Sequence, residues 1–569
     1  MHNHGRSFWF LSTMLLFMLC ITSQEADAQE PQTKAFRDTL SRAQAKTQSR
    51  EWAEAASLWE IIVQMNPVEG EFWGQLAEAY YQNKEYRKAA QAYEKALDLG
   101  DGLPSNANYN IARCYAQLGD KDQAMKWLEK SFDLGFRSLT KAQTDADLQS
   151  LRNDARFRKL TAMEDVSKLS RDDGWRYDLQ LLAREVKRRR YYPFLKISKE
   201  EFDLSVKQIH DWIPRLTDIQ VTIEMMKLMR KVGDGHTMLY AFWERPEFLK
   251  TIPVDLQFFR EGLFITAADS RYTDLLGAQV LRFDNLTVEE VLQGLDPILN
   301  RDNQRGPLVL GLMRIRNLPL LHGLGLIRDP EHVSLTIRDA QGKTRAVLLP
   351  ADSGVPSRKL WDGLPKGWKT FYEGLPGQLP IYLKNNYADY WFEYMPETKT
   401  VYFQFNRVHN DPQEPLTKFC DRLFKFINEH EVNRLVVDMR WNPGGDTTIS
   451  LPLIWGLVRC EKINERGKLF VIIGGRTYSA AQNVATFIER NTKAIFVGEP
   501  TGSGPNFIGE DNPFELPYSK IMANVSEFYW QSSWPFDHRT WIAPLLYTPP
   551  TFEAYSKNRD LAMEAILAY

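Results

Sequence analysis

"KLFVIIGGRTYSAAQNVATFIER", residues Lys468 to Arg490, holds the junction on which the reading of this chain turns. The run "LFVII" has the length and β-branching of a buried strand, and it stops at the pair Gly474–Gly475. "AAQNVATFIER" then spaces its apolar residues as a helix does, so the stretch reads strand, tight turn, helix. Ser479 opens that helix. Serine is a favoured helix cap, and it is a nucleophile where a base and an oxyanion site stand beside it. The next residue, Ala480, carries a backbone N–H with no intrahelical partner, a donor suited to holding an oxyanion. On this stretch alone both readings of Ser479 stay open.

The same alternation continues on either side. "TVYFQFNRV" precedes the helix "LTKFCDRLFKFINEH", "RLVVDMR" leads through "WNPGGD" to "SLPLIWGLVR", and "AIFVGE" follows the Ser479 helix. Apolar strands alternating with amphipathic helices predict crossover connections and a partly parallel sheet over residues 390–569. In such sheets the working groups lie beyond the carboxyl ends of the strands. Gly444 and Gly445 fall at such a place. They form an ordinary Asn-Pro-Gly-Gly turn, or a backbone approach unhindered by Cβ that supplies a second oxyanion donor. Further upstream, "VGDGHTMLY" sets His236 in a glycine-rich turn between a helix and a strand. A lone loop histidine is commonly a polar packing residue. Its unperturbed pKa also suits a general base near neutral pH.

Residues 35–135 repeat. A shift of 35 places Ala77 on Ala112, Tyr80 on Tyr115, Ala89 on Ala124 and Gly100 on Gly135, and a weaker unit carries Trp52, Ala55 and Trp59. This is the tetratricopeptide pattern, which predicts an α-solenoid over residues 29–165 that either docks a protein partner or acts as a spacer. Residues 171–240 read as helices. Their basic run "KRRR", Lys187–Arg190, reads as a solvated face. Residues 250–350 read as a β-rich domain with one helix, "TVEEVLQGL", and residues 351–389 as a linker or surface excursion.

The bulk composition narrows the function. A chain of 569 residues exceeds one core, and its net charge of −2 leaves no electrostatic footprint for nucleic acid. Arg6 precedes "FWFLSTMLLFML", too short to span a bilayer, and "ADA" at residues 26–28 completes a signal-peptide pattern. A signal peptide over residues 1–28 predicts a periplasmic or secreted protein with no stable membrane insertion; Leu19 before Cys20 does not fit a lipoprotein signal. The remaining Cys114, Cys420 and Cys460 make neither a disulfide framework nor a CxxC knuckle, and HExxH is absent, so no metal or cofactor is predicted.

Taken together, "GDGHT", "LVVDMRWNPGG", "RTYSAAQNVATFI" and "AIFVGEPTGSG" resemble, in order, the signature blocks of the tail-specific (carboxy-terminal processing) serine proteases. The nearer branch is that of the tricorn core protease and the interphotoreceptor retinoid-binding protein repeats. The resemblance runs from about Leu179 to the C-terminus and leaves out the repeats. It implies an α+β/α/β protease region with a ClpP/crotonase-like core, in which residues 250–350 occupy the place of a PDZ domain. It also implies Ser479 as nucleophile, with Ala480 N–H and the Gly444–Gly445 segment as oxyanion donors. The lysine of a "TFGKG" block is replaced by Thr501-Gly502-Ser503-Gly504, so the implied base is His236. Two positions depart from the tricorn-like pattern: Gly235 stands where a serine precedes the histidine, and Ala543-Pro544-Leu545 stands for an "EPD" acid. Asp234, Glu499 and Asp537 are the candidates to orient His236. The expectation is an exported serine peptidase acting on peptides or proteins. The alternatives are an impaired ligand- or peptide-binding protein on the same fold, or a repeat-based scaffold.

Overall fold

The computed structural model describes residues 33–241, 248–352, 364–385 and 387–569; the signal-peptide segment lies outside them. The chain divides into two compact units, Met1–Asp165 and Val166–Tyr569.

In the first unit, helices Trp52–Met65, Gly70–Gln82, Tyr86–Asp98, Pro104–Gln117 and Lys121–Asp133 follow one another through short turns. The repeated small residues explain the packing. Ala77, Ala89, Ala112 and Ala124 are each 0% exposed, so helices meet where a larger side chain would hold them apart. Gly100 and Gly135, at the repeat ends, take positive φ of 81° and 95°, the left-handed turn that stops a helix.

The second unit begins with three helices, Arg171–Arg189, Lys199–Trp212 and Asp218–Val232. The last two start in capping boxes, Ser198 with Glu201 and Thr217 with Gln220. The basic run departs from its expected solvated face: Arg189 is 2% and Arg190 4% exposed. Arg189 and Arg188 pair with the buried Glu185, and Arg190 Nε donates to Asp234 at 3.0 Å. Local charge density predicted water, whereas these guanidiniums find carboxylates that are remote or turned inward.

Residues Val254–Phe259, Gly262–Asp269, Gln279–Phe283, His332–Arg338 and Thr344–Pro350 form an antiparallel sheet in that order. Trp368–Thr370 pairs with Gly262–Asp269, so the described part of the expected linker adds a strand to this sheet.

The central sheet has six strands in the order Leu546–Tyr547, Ile495–Gly498, Leu469–Ile473, Arg434–Asp438, Thr400–Phe405, Tyr390–Met395. All neighbours are parallel except the last pair. Every residue of Leu469–Ile473 is buried, because both faces of the sheet are covered. On one face lie Phe419, Leu423 and Ile427 of helix Leu416–Glu429, with Val484, Ala485 and Ile488 of helix Ala480–Asn491. On the other lie Tyr382, Tyr555 and Met563, together with Phe259 and Phe264 of the antiparallel sheet. The two glycine turns emerge at the carboxyl ends of adjacent central strands.

Candidate functional site

Ser479 is not an ordinary cap. A serine or threonine cap sits in the extended region and accepts an N–H from the first helical turn, as Ser198 does at φ −70°, ψ 158°. Ser479 has φ 54° and ψ −127°, and its side chain makes no capping hydrogen bond. A non-glycine residue there costs about 1–3 kcal/mol and persists only where its surroundings enforce it. The enforcement is visible. Thr477 N donates to Gly474 O at 2.8 Å, Gly474 N to Thr477 Oγ1 at 3.0 Å, and Thr477 Oγ1 to Met439 O at 2.9 Å. Tyr478 N donates to Asn442 O at 3.2 Å. Strand and helix are thereby joined by a sharp elbow with Ser479 at its tip.

Against this elbow lies Gly444, at φ 115°. A Cβ on it would stand 2.7 Å from Ser479 Cβ and 2.9 Å from Ala480 N, so only glycine lets the segments approach this closely. Asn442 Oδ1 accepts Gly444 N–H at 3.0 Å, and Gly444 O accepts from Val408 N at 2.9 Å. This corrects the expectation for Gly444, whose amide is committed to the turn's own side chain. Gly445 is the exposed member of the pair, and its N–H and that of Ala480 have no hydrogen-bond partner among the described residues.

His236 is 5% exposed and sits in a carboxylate-knotted turn. Asp234 Oδ1 accepts from His236 N at 2.9 Å, Thr237 N at 2.6 Å and Ser526 Oγ at 2.8 Å, while Oδ2 accepts from Arg190. Asn524 Nδ2 donates to His236 O at 2.9 Å, tying the turn to strand Met522–Asn524, with which Met238–Leu239 pairs. The imidazole stacks on Tyr478 (centroids 4.6 Å apart, planes at 16°) and on Phe507 (5.7 Å, 15°). Its Nδ1 is 2.9 Å from the Tyr478 hydroxyl, and its Nε2 is buried without a partner. The fold thus brings His236 against the residue next to Ser479, although no hydrogen bond joins the imidazole to the serine hydroxyl.

The three carboxylates expected to orient the imidazole are held elsewhere. Asp234 is fixed as above, Glu499 pairs with Arg305, and Asp537 with Arg539. Hydrogen bonds from Arg539 and Ser533 hold the Asp537 carboxyl well below its ordinary value. A fourth carboxylate holds the turn just before the imidazole. Asp302 accepts from Gly235 N at 2.7 Å and Ser503 Oγ at 2.6 Å. Burial pushes its carboxyl up, against the opposing pull of the nearby His236. Burial, then the Asp302 charge, also lifts the Tyr478 phenol well above its usual range, so it stays neutral. Sequence reasoning missed Tyr478, Asp302 and Phe507. Tyr478 stood in view beside Ser479, but nothing local showed where its ring points, and Asp302 belongs to no motif.

Beyond the same strand ends lies a cavity of about 930 Å³, bordered by Gly474–Arg476, Trp441 and residues 255–260 of the antiparallel sheet. It reaches within three residues of Ser479 along the chain. Among the described residues no cluster of histidine, cysteine and carboxylate side chains is arranged to hold a metal, and no helix is long and apolar enough to cross a membrane.

Tetratricopeptide-repeat family models match residues 40–104 and 105–134, which makes the first unit a tetratricopeptide-repeat region. No curated protein matches the chain significantly in sequence. Among solved structures, the chain is similar to mature CPAF complexed with lactacystin, at 12% identity over 70% of this chain and 98% of that one, with a TM-score of 0.49. It is similar to a photosystem II D1 C-terminal processing protease at 11% identity over 69% and 96%, TM-score 0.35. It is also similar to PcrH in complex with the chaperone-binding region of PopD, at 19% identity over 23% and 95%, TM-score 0.18.

Proposed function

We propose that this protein is an exported serine peptidase in which Ser479 attacks a peptide carbonyl. His236 takes the serine proton as the carbon–oxygen bond forms, and the tetrahedral oxyanion is held by the N–H groups of Ala480 and Gly445. Gly444 contributes by having no side chain. His236 then returns the proton to the leaving amine as the C–N bond breaks. Water, deprotonated by the same imidazole, hydrolyses the acyl-enzyme and regenerates the serine. The observation that carries this reading is the backbone of Ser479: a strained, uncapped serine on a strand-to-helix elbow, beside an unpartnered helix-terminal N–H. Peptides are proposed as the substrate class from the resemblance of the four blocks, and the cavity beside Arg476 offers room for a chain. The tetratricopeptide repeats are proposed to dock a protein partner or a protein substrate.

The unmade hydrogen bond between His236 and Ser479 favours a second reading, a binding protein that keeps the fold without turnover. Catalytic hydrogen bonds are often long before substrate binds, so a chemical test separates the two. A fluorophosphonate probe is expected to label the wild-type protein at Ser479, to leave Ser479→Ala untouched and to label His236→Gln far more slowly. An unlabelled, folded wild-type protein would overturn the hydrolase reading.

A further inference from the structure

An imidazole that accepts a proton at one nitrogen needs its other nitrogen held, or its tautomer and ring orientation drift. The structure shows what stands at the second nitrogen of His236. The hydroxyl 2.9 Å from His236 Nδ1 belongs to Tyr478, whose ring also stacks on the imidazole. A Cβ built on Gly235 would overlap that phenol oxygen and come within 3.1 Å of Asp302 Oδ1. The phenol therefore occupies the space a side chain at Gly235 would need, and a carboxylate borders the same space. Asp302 is itself fixed by Gly235 N and Ser503 Oγ.

Resting on the hydrolase reading, we infer that Tyr478 is the positioning residue of His236: its oxygen accepts Nδ1–H, and Nε2 is left bare to receive the Ser479 proton. Proton balance is simple. The tyrosine neither gains nor loses a proton when the imidazole becomes imidazolium, because Nδ1–H stays on the phenol oxygen throughout. The Asp302 carboxylate offsets the new positive charge through space. Gly235 is required for this arrangement, since any side chain there displaces the phenol.

Tyr478→Phe keeps the stacked ring and removes only the oxygen. It is expected to slow fluorophosphonate labelling of Ser479 about 100-fold, in the range of general-base catalysis. Adding Gly235→Ser to Tyr478→Phe puts a hydroxyl back into the vacated space and is expected to recover about tenfold of that loss, which a purely structural role for the ring does not predict. A second readout is independent of activity: ¹⁵N shifts of the His236 ring, assigned by comparison with His236→Gln. The wild type is expected to show the Nδ1–H tautomer, and Tyr478→Phe a mixture. Labelling of Tyr478→Phe within twofold of wild type, or an Nε2–H tautomer in the wild type, overturns the inference. If the wild type is not labelled at all, the hydrolase reading fails, and the ring shifts still decide the role of Tyr478: a tautomer moved by Tyr478→Phe supports it, and an unmoved one overturns it.

Discussion

Replacing Gly444 by alanine tests the elbow most directly. The new methyl carbon would stand 2.7 Å from Ser479 Cβ, 2.9 Å from Ala480 N and 3.0 Å from Tyr478 O. None of these is the tip of a flexible side chain, so the segments themselves must part. The alanine would also inherit φ 115°, which an L-residue rarely adopts. Backbone strain of about 1–3 kcal/mol and overpacking of about 1–3 kcal/mol add to a loss of roughly 2–6 kcal/mol. At about 2 °C per kcal/mol for a large domain, the second unit should melt about 4–12 °C lower. Labelling of Ser479 should fall by about 100-fold, the scale of a 1 Å misplacement at a reacting centre. The assay is differential scanning calorimetry beside the rate of fluorophosphonate labelling. Gly374→Ala is the control: a Cβ there meets nothing within 4 Å, and the change should be neutral or slightly stabilising. A Gly444→Ala protein that melts and labels like wild type would refute the claim that glycine is needed to seat Ser479 and Ala480.

Asp234→Ala strips the acceptor from His236 N, Thr237 N and Ser526 Oγ and leaves Arg190 buried without its carboxylate. A loss of about 3–5 kcal/mol is expected, read as lowered thermal stability with slower labelling, and restored in part by Asp234→Asn. Glu185→Gln should destabilise the second unit, because Arg188 and Arg189 then lose the buried negative charge they share. Burial raises the Glu185 carboxyl, but Arg188 and Arg189 outweigh it and hold it below its ordinary value. Its contribution is therefore present above the unfolded carboxyl's pKa and lost as pH falls through the lower folded value; an acid melt of Glu185→Gln should show a shallower pH dependence there than wild type. Burial pushes the Cys114 and Cys420 thiols up to about 12. At pH 8 only about one in ten thousand of each is thiolate, so mass spectrometry after brief iodoacetamide treatment should find both unmodified in the folded protein and both alkylated in urea.

Periodicity alone yielded most of the architecture. The alanines at a 35-residue shift announced helices that touch, and "LFVII" followed by "AAQNVATFIER" announced a strand crossing into a helix, because period and residue size are local properties. Ser479 and His236 were legible as candidates for the same reason: each sits in a turn whose composition is unusual. What set Ser479 apart from an ordinary cap was a torsion angle held by Thr477, Asn442 and Gly444, which a string of letters does not carry. Which of the Gly444 and Gly445 amides stays unpaired likewise depended on where the Asn442 side chain turned. "KRRR" misled because charge density says nothing of carboxylates brought in from elsewhere in the chain. Tyr478 became a partner of His236, and Asp302 of Gly235 beside it, only when segments more than 60 residues apart were folded onto one another. Sequence determined which elements form, since that is settled by interactions within a few residues; tertiary structure decided which groups share a proton, since hydrogen bonding acts over about 3 Å of space regardless of separation along the chain.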